Sequence, residues 1–428
     1  MKNIFKIETG TDLKNEFIGG LTTFMTMAYI IFVNPAILSD AGMDKPALIT
    51  ATCLAAFFGT LLVGIWADVP FAMAPGMGLN AFFAYTLVLG QGLSWRTALG
   101  VVFISGIFFL GLTIIGIREK VVAAIPVSLR FSAAAGIGLF ITLIGMKNLG
   151  LIVDNPATLV SIGKLTTPVL LGLAGLIVIV IATIKKIRGA ILLGILVTFF
   201  LGIICGEVKM PAALVSMPPS LTPVALQLDI PGALQWGLAG AIFSFMFVDL
   251  FDSIGTIVAC SYEAGSVQED GTIANIDKML EADALATVVG ALLGTSTTTT
   301  YIESASGIAD GAKTGWASIV TAVFFLSALF FAPLISAVPA FATAPALIIV
   351  GVFMFKNIQE IDFSDFTIAV PSFLTITLIP LTFSIATGLT IGFLSFVIIA
   401  ALSGNSRKIS AVMWAVGVLS AVNLYISA

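Results

Sequence analysis

Histidine is absent from this chain of 428 residues, cysteine occurs three times, and charged residues make up only 10% of it. Each shortage excludes something. Without imidazole, any proton chemistry has to run through carboxylates. Cys53, Cys205 and Cys260 lie in or beside apolar runs without paired spacing, which argues against a disulfide framework or a cysteine metal site. Soluble domains carry about 25% charged residues, so the charge here is too sparse to cover a water-soluble surface. No polar linker or low-complexity stretch sets off a second domain. Residues 1–15 lack the charged, then apolar, then small-residue order of a cleaved signal and read as a short cytoplasmic start. The net charge of −4 says little about partners, and no metal, cofactor or nucleic acid is expected.

What fills the chain is oil: hydrophobic residues are 59% of it, with a mean hydropathy of +1.13. Apolar runs of about 20 residues recur, each long enough to cross a hydrocarbon layer roughly 30 Å thick. Candidate spans fall at 16–38, 47–67, 74–90, 97–117, 131–147, 167–184 and 189–206. A Pro-rich loop over 207–233 follows, then spans at 234–258, 278–294, 299–310, 315–333, 342–355, 366–382 and 386–403. The expected fold is therefore an all-α polytopic membrane protein of fourteen segments. With a cytoplasmic N-terminus, fourteen crossings leave fourteen of the 19 Lys and Arg residues inside, including Lys2, Lys6, Arg118, Lys120, Arg407 and Lys408. Only Lys45, Arg96, Lys147, Lys164 and Lys209 fall outside, as the positive-inside rule requires. Residues 409–428 suit either a further span or a helix in the interface.

Two spans are abnormal. MAPGMGLNAFFAYTL (73–87) combines Pro and Gly, and TSTTTTYIESASGIADG (295–311) opens with β-branched residues, which favour extended backbone over helix. Extended backbone at membrane depth must pair with protein or line a cavity. A short strand followed by a half-helix is expected in each stretch, with the two strands paired. The stretches hold matching places in two halves of seven spans, as in an inverted repeat. AAFFGTLLVG (55–64) resembles ATVVGALLGT (286–295), which sets Asn80 opposite Glu303, and TFMTMAYIIFVNP (23–35) resembles AIFSFMFVDLFDS (241–253).

Against this background the intramembrane acids stand out. Asp249 and Asp252 share a helix face, and each costs at least ~2.5 kcal/mol at the bilayer centre. Glu303 adds a third acid with no Lys or Arg nearby in sequence, an arrangement suited to a proton carrier. Blander readings exist: Glu303 as a helix N-cap, Asp252 as a structural hydrogen bond, Asn80 as a partner for strand amides. The Phe-rich stretches read as packing, except that Phe247 and Tyr29 flank the acids in the repeat alignment. The acidic stretch EAGSVQEDG (263–271) reads as a solvated loop. No nucleophile and base stand at catalytic spacing, which argues against an enzyme.

FIGGLTTFMTMAYIIFVNPAILSDAGMD (17–44), APGMGLNAFFAYT (74–86), FVDLFDSIGT (247–256) and TTYIESASGIADGAKTG (299–315) together resemble the AzgA-like branch of the nucleobase:cation symporter-2 families, the adenine, guanine and hypoxanthine permeases. The resemblance implies a uracil-permease-like fold. Its core domain takes 16–117 (segments 1 to 4) and 234–333 (segments 8 to 11). Its gate domain takes 131–206 and 342–403, leaving a C-terminal segment at 404–428. It further implies proton-coupled purine uptake across the cell membrane, with Asp249 and Glu303 bonding the base, Asn80 and Asp252 supporting them, and the backbone of Thr300, Tyr301 and Ile302 reading the base edge. Relatives of this fold pair through gate domains, which allows a homodimer. The order Glu303, Ser304, Ala305, Ser306, Gly307 departs from nucleobase-ascorbate transporters, which place Asn after the acid and Gly three residues on; this favours 6-substituted purines over xanthine, urate or uracil. A sulfate-permease-like anion carrier shares the architecture, but its ligand is expected to meet a cation or bare helix ends rather than three acids. A channel needs a continuous polar path, where the polar residues here gather at one depth.

Overall fold

The computed structural model describes residues 10–116, 125–268, 272–404 and 409–427. Lys2, Lys6, Arg118, Lys120, Arg407 and Lys408, and the end of the acidic loop at 269–271, lie outside them. The described chain is mostly helical, with α1 (Gly10–Met27), α2 (Ile30–Asp40), α3 (Lys45–Ala67), α4 (Met77–Ala81, running on as a π-helix over Phe82–Gly90), α5 (Trp95–Ile114), α6 (Val127–Leu149), α7 (Thr167–Ile184) and α8 (Ala190–Ile204). After the irregular Pro-rich loop come α9 (Ala239–Glu263), α10 (Ile276–Leu293), α11 (Ser304–Ala309), α12 (Gly315–Ala328), α13 (Ala340–Phe355), α14 (Phe366–Leu381), α15 (Ile385–Leu402) and α16 (Ala411–Ser427). Among the described residues nine helices are long and apolar enough to cross a membrane. The last helix, α16, has an apolar part shorter than those and packs against α15.

Local sequence sets these boundaries. Asp44, Ser94, Asp365 and Ser384 cap α3, α5, α14 and α15 by accepting from backbone N–H groups, the Asp44 bond to Ala47 N being 2.9 Å. Gly150 and Gly294 end α6 and α10 in the left-handed region, where a side chain is strained.

Both abnormal stretches break as their composition predicts. Met73–Pro75 (β1) pairs antiparallel with Thr298–Thr300 (β4), Ala74 standing opposite Thr299, and a helix follows each strand. Pro75 has no amide to offer, and the next residue, Gly76, continues the ladder by donating to Thr297 O at 2.9 Å. A second antiparallel pair, the hairpin of Ile152–Asn155 (β2) with Leu159–Ile162 (β3), joins α6 to α7 and was not expected from the sequence. Its turn is built by Asn155, whose side chain accepts from Ala157 N and Thr158 N.

The repeat alignment needs correction by one helical turn. Thr60 on α3 donates to Met73 O at 3.0 Å and accepts from Met73 N at 2.9 Å. Thr287 on α10 makes the same pair with Thr298, both at 3.2 Å. Thr60 thus corresponds to Thr287, where the sequence match placed it opposite Ala291. Likewise Glu303 follows β4 by three residues while Asn80 follows β1 by five, so the two are not equivalent. Apolar helices repeat similar residues every turn, so composition alone does not fix the register.

The helices pack mainly within two sets. One contains α1 to α5, α9 to α12 and the β1–β4 pair; the other contains α6 to α8 and α13 to α16. The site described next lies in the first set, where it faces the second.

Candidate substrate site at the strand crossing

The β1–β4 pair is buried end to end, so every polar group on it needs a protein partner. Thr60 and Thr287 clamp it from two sides. Asp283 on α10, itself fully buried, accepts from Thr300 N at 3.0 Å and Thr300 Oγ1 at 3.2 Å, and its other oxygen accepts from Ser253 Oγ at 2.5 Å. This is an intramembrane acid that the sequence reading passed over. It follows Lys278 and Glu281 closely enough to look like the charged lead-in to a span, although the cost argument applied to Asp249 applies to it equally.

Asp249 is buried on α9 and accepts from Thr287 Oγ1 at 3.1 Å, so the same hydroxyl joins an acid to the strand. One turn on, Asp252 is exposed and stands within electrostatic reach of Asp283 and Glu303. Glu303 occupies the N-cap position of α11 but makes no side-chain cap bond. Its Oε1 instead accepts from the Tyr29 hydroxyl at 2.6 Å. The N-cap reading of Glu303 therefore fails, because the carboxylate turns toward the α1–α2 junction. Gly307 sets the approach of α11 to α1: a Cβ there would run into the Gly19 carbonyl and the Thr23 hydroxyl.

Asn80 is also fully buried and donates to Asn34 Oδ1 at 2.6 Å, while Asn34 donates to Thr52 Oγ1 at 2.7 Å and Thr295 Oγ1 at 3.0 Å. Asn80 thus reaches the strand region only through Asn34, a residue given no role from the sequence. Asn34 matches Asp252 in the 23–35/241–253 alignment, so the sequence held a pointer to it.

Tyr301 turns the chain out of β4, its N–H donating to Ala72 O at 2.9 Å and its hydroxyl to Pro75 O at 2.5 Å. The amide hydrogens of Thr300 and Tyr301 are therefore held by protein, and only Ile302, 49% exposed, presents its side chain at this edge. Phe247 is buried in an aromatic row with Phe243, Phe251 and Phe393, ring centroids 4.4 to 5.6 Å apart.

Four carboxylates, Asp249, Asp252, Asp283 and Glu303, thus converge on one strand crossing with a phenol and strand hydroxyls. Two of them, Asp249 and Asp283, are buried against the strand region, while Asp252 is exposed and Glu303 half-buried. A family model described as a permease family matches residues 14–391. The chain belongs to the nucleobase:cation symporter-2 permease family. Among its relatives, a putative permease of Methanocaldococcus jannaschii is 50% identical, the match covering 98% of this chain and 96% of that one. The guanine/hypoxanthine permease PbuG of Bacillus subtilis is 45% identical over 97% of each chain, and the adenine permease AdeP of Escherichia coli 44% over 96% and 92%. In fold this permease resembles the transmembrane domain of the cyanobacterial bicarbonate transporter BicA, with a TM-score of 0.68 at 15% identity over 90% of this chain and 98% of that one. It likewise resembles the anion transporter Slc26a9 of the mouse, with a TM-score of 0.66 at 11% identity over 93% and 70%. The permease is a multi-pass helical membrane transporter whose strand crossing carries acids.

Proposed function

We propose that this permease takes up purine nucleobases, adenine, guanine or hypoxanthine, across the cell membrane together with protons. The observation that carries the reading is the Glu303 carboxylate, turned from its helix end to the Tyr29 hydroxyl beside the strand crossing, in a chain whose relatives include adenine and guanine/hypoxanthine permeases. A purine offers ring N–H and exocyclic donors in one plane. Tyr29 occupies one oxygen of Glu303, which leaves the other to meet such an edge. Asp249, with Thr287 as its support, supplies a second acceptor on α9, and Asn80 and Asn34 fix the opposing half-helix. A buried acceptor that loses its donor is costly, so the site discriminates by hydrogen bonds more strongly than an apolar pocket does.

Asp252 and Glu303 stand within electrostatic reach of each other, and two like charges so placed disfavour one another. One of them takes a proton from the side the base comes from, base binding completes the network, and the loaded site moves as a unit. In this reading the moving core spans 16–117 and 234–333, and the gate spans 131–206 and 342–403. Fourteen crossings with a cytoplasmic N-terminus place the Asp40, Tyr85 and Asn148 end of the bundle outside. The fold shared with bicarbonate and other anion transporters suggests an anion as ligand, but four acids at the crossing disfavour it.

Uptake of labelled adenine, guanine, hypoxanthine and uracil into proteoliposomes, with and without an inward proton gradient, tests the reading. Concentrative, gradient-dependent uptake of a purine is expected, and Asp249→Asn and Glu303→Gln should each lose it. No uptake of any base by folded protein would overturn it.

A further inference from the structure

The π-helical continuation of α4 is unusual in itself, since such turns are rare and gather where function needs them. It begins one residue after Ala81, next to Asn80, and carries Tyr85 and Thr86 toward the second helix set. The Tyr85 hydroxyl donates to Asp40 Oδ2 at 2.6 Å and accepts from Asn148 Nδ2, on α6, at 3.1 Å. The neighbouring Thr86 hydroxyl donates to the carbonyl of Phe383 at the end of α14. Phe383 is held with φ +51, in the left-handed region that a bulky side chain avoids. Its ring lies edge-on to Phe140 at 5.6 Å, with the Lys147 ammonium 5.8 Å from its centre. Two consecutive residues of one π-helical segment thus reach from the first helix set to the second.

Beside these bonds lies a cavity of about 130 Å³ between α2 and the α6–α13 wall, lined by Val33, Ile37, Asp40, Asn148, Thr343 and Leu347. It is a pocket left where the two sets part. The opposite end differs. On α9 the exposed residues beyond the Phe247–Phe393 contact are Asp252, Gly255, Ala259, Tyr262 and Glu263, a small and polar face unlike one turned to lipid. The cross-set bond at that end joins Arg188 to Asp310 at the rim, with Arg188 more than half exposed.

We propose that Tyr85, Thr86 and Asn148 form a latch closing the end of the permease away from the exposed Asp252 face, and that it opens once in each transport cycle. The inference rests on the reading above, in which the two helix sets move against each other. The π-helix links the latch to the site: it shares a helix with Asn80 and follows β1, so a shift at the strand crossing is passed along it to Tyr85.

The test places a cysteine at Thr343, buried in the cavity wall, in a Cys205→Ser background, and measures its labelling by a membrane-impermeant thiol reagent added outside. Tyr85→Phe, Thr86→Val and Asn148→Ala each remove one part of the latch. A hydrogen bond worth about 1 kcal/mol corresponds to about fivefold in the opening equilibrium, so each variant should label about five times faster than the Thr343→Cys parent. Parent-like rates in all three would overturn the latch. Acceleration in Tyr85→Phe alone would overturn it too, since that result belongs to the Asp40–Tyr85 bond within one helix set. Labelling needs no transport, so failure of purine uptake strikes the function reading while this rate still judges the latch.

Discussion

The Tyr29 hydroxyl donates to Glu303 Oε1 at 2.6 Å across 274 positions of sequence, tying the α1–α2 junction to the start of α11. This bond aims the carboxylate of Glu303 and holds one of its oxygens. Hydrogen bonds to charged groups are worth about 1.5–3 kcal/mol, so Tyr29→Phe should weaken purine binding by about tenfold or more while the protein stays folded. Equilibrium binding of labelled base to detergent-purified protein measures it, and unchanged affinity would remove Tyr29 from the site.

Asp283 is predicted to matter for the fold before it matters for the ligand. Asp283→Ala strips Thr300 N–H and the Ser253 hydroxyl of their acceptor in a buried setting, at a cost of about 1–3 kcal/mol each. Thermal unfolding in detergent should show a clear fall in Tm. Asp249→Asn, which keeps an oxygen for Thr287, should show little or none. Equal losses in the two variants would contradict this division of labour.

Thr60 and Thr287 hold their strands in the same way, and Thr287 also serves the buried Asp249, so both losses should be felt and the loss at Thr287 should be the larger. Thr60→Val and Thr287→Val each leave a strand N–H and C=O without the hydroxyl, and each should destabilise by about 1–3 kcal/mol. A large effect at only one of them, read by denaturant or thermal unfolding, would break the equivalence drawn between the repeats.

Gly307→Ala should push α11 off α1, because its Cβ meets backbone and the Thr23 side chain. Overpacking of this kind costs about 1–3 kcal/mol, and here it also displaces the helix that Glu303 heads. Purine uptake should fall with it, and Thr23→Ala, which removes the obstructing hydroxyl, should not repair it, since the Gly19 carbonyl remains. Full uptake by Gly307→Ala would show that α11 has room to spare.

Much of the architecture was legible. Pro75, Gly76 and the Thr297 to Thr300 run announce breaks in helices because β-branching and a missing amide act locally, wherever the segment lies in the fold. The cost of an acid in lipid flagged Asp249, Asp252 and Glu303 for the same reason. Asn34 and Asp283 escaped because short polar residues inside apolar runs look like ordinary helix content until their partners are known. Ser304, noted in the sequence only for its place after Glu303, accepts from Ala72 N at 3.0 Å and donates to Tyr301 O at 2.7 Å.

The sequence by itself determined that this chain lives in a membrane, where two of its spans break, and which residues are too costly there to be idle. These are properties of short windows: hydropathy, backbone preference and the desolvation of a charge. Only the tertiary structure decided that Thr60 answers Thr287, that Asp283 rather than Asn80 holds β4, and that Glu303 bonds Tyr29. Helical sequence repeats its apolar pattern at every turn, so register and partner choice between distant helices are set by packing at side-chain resolution.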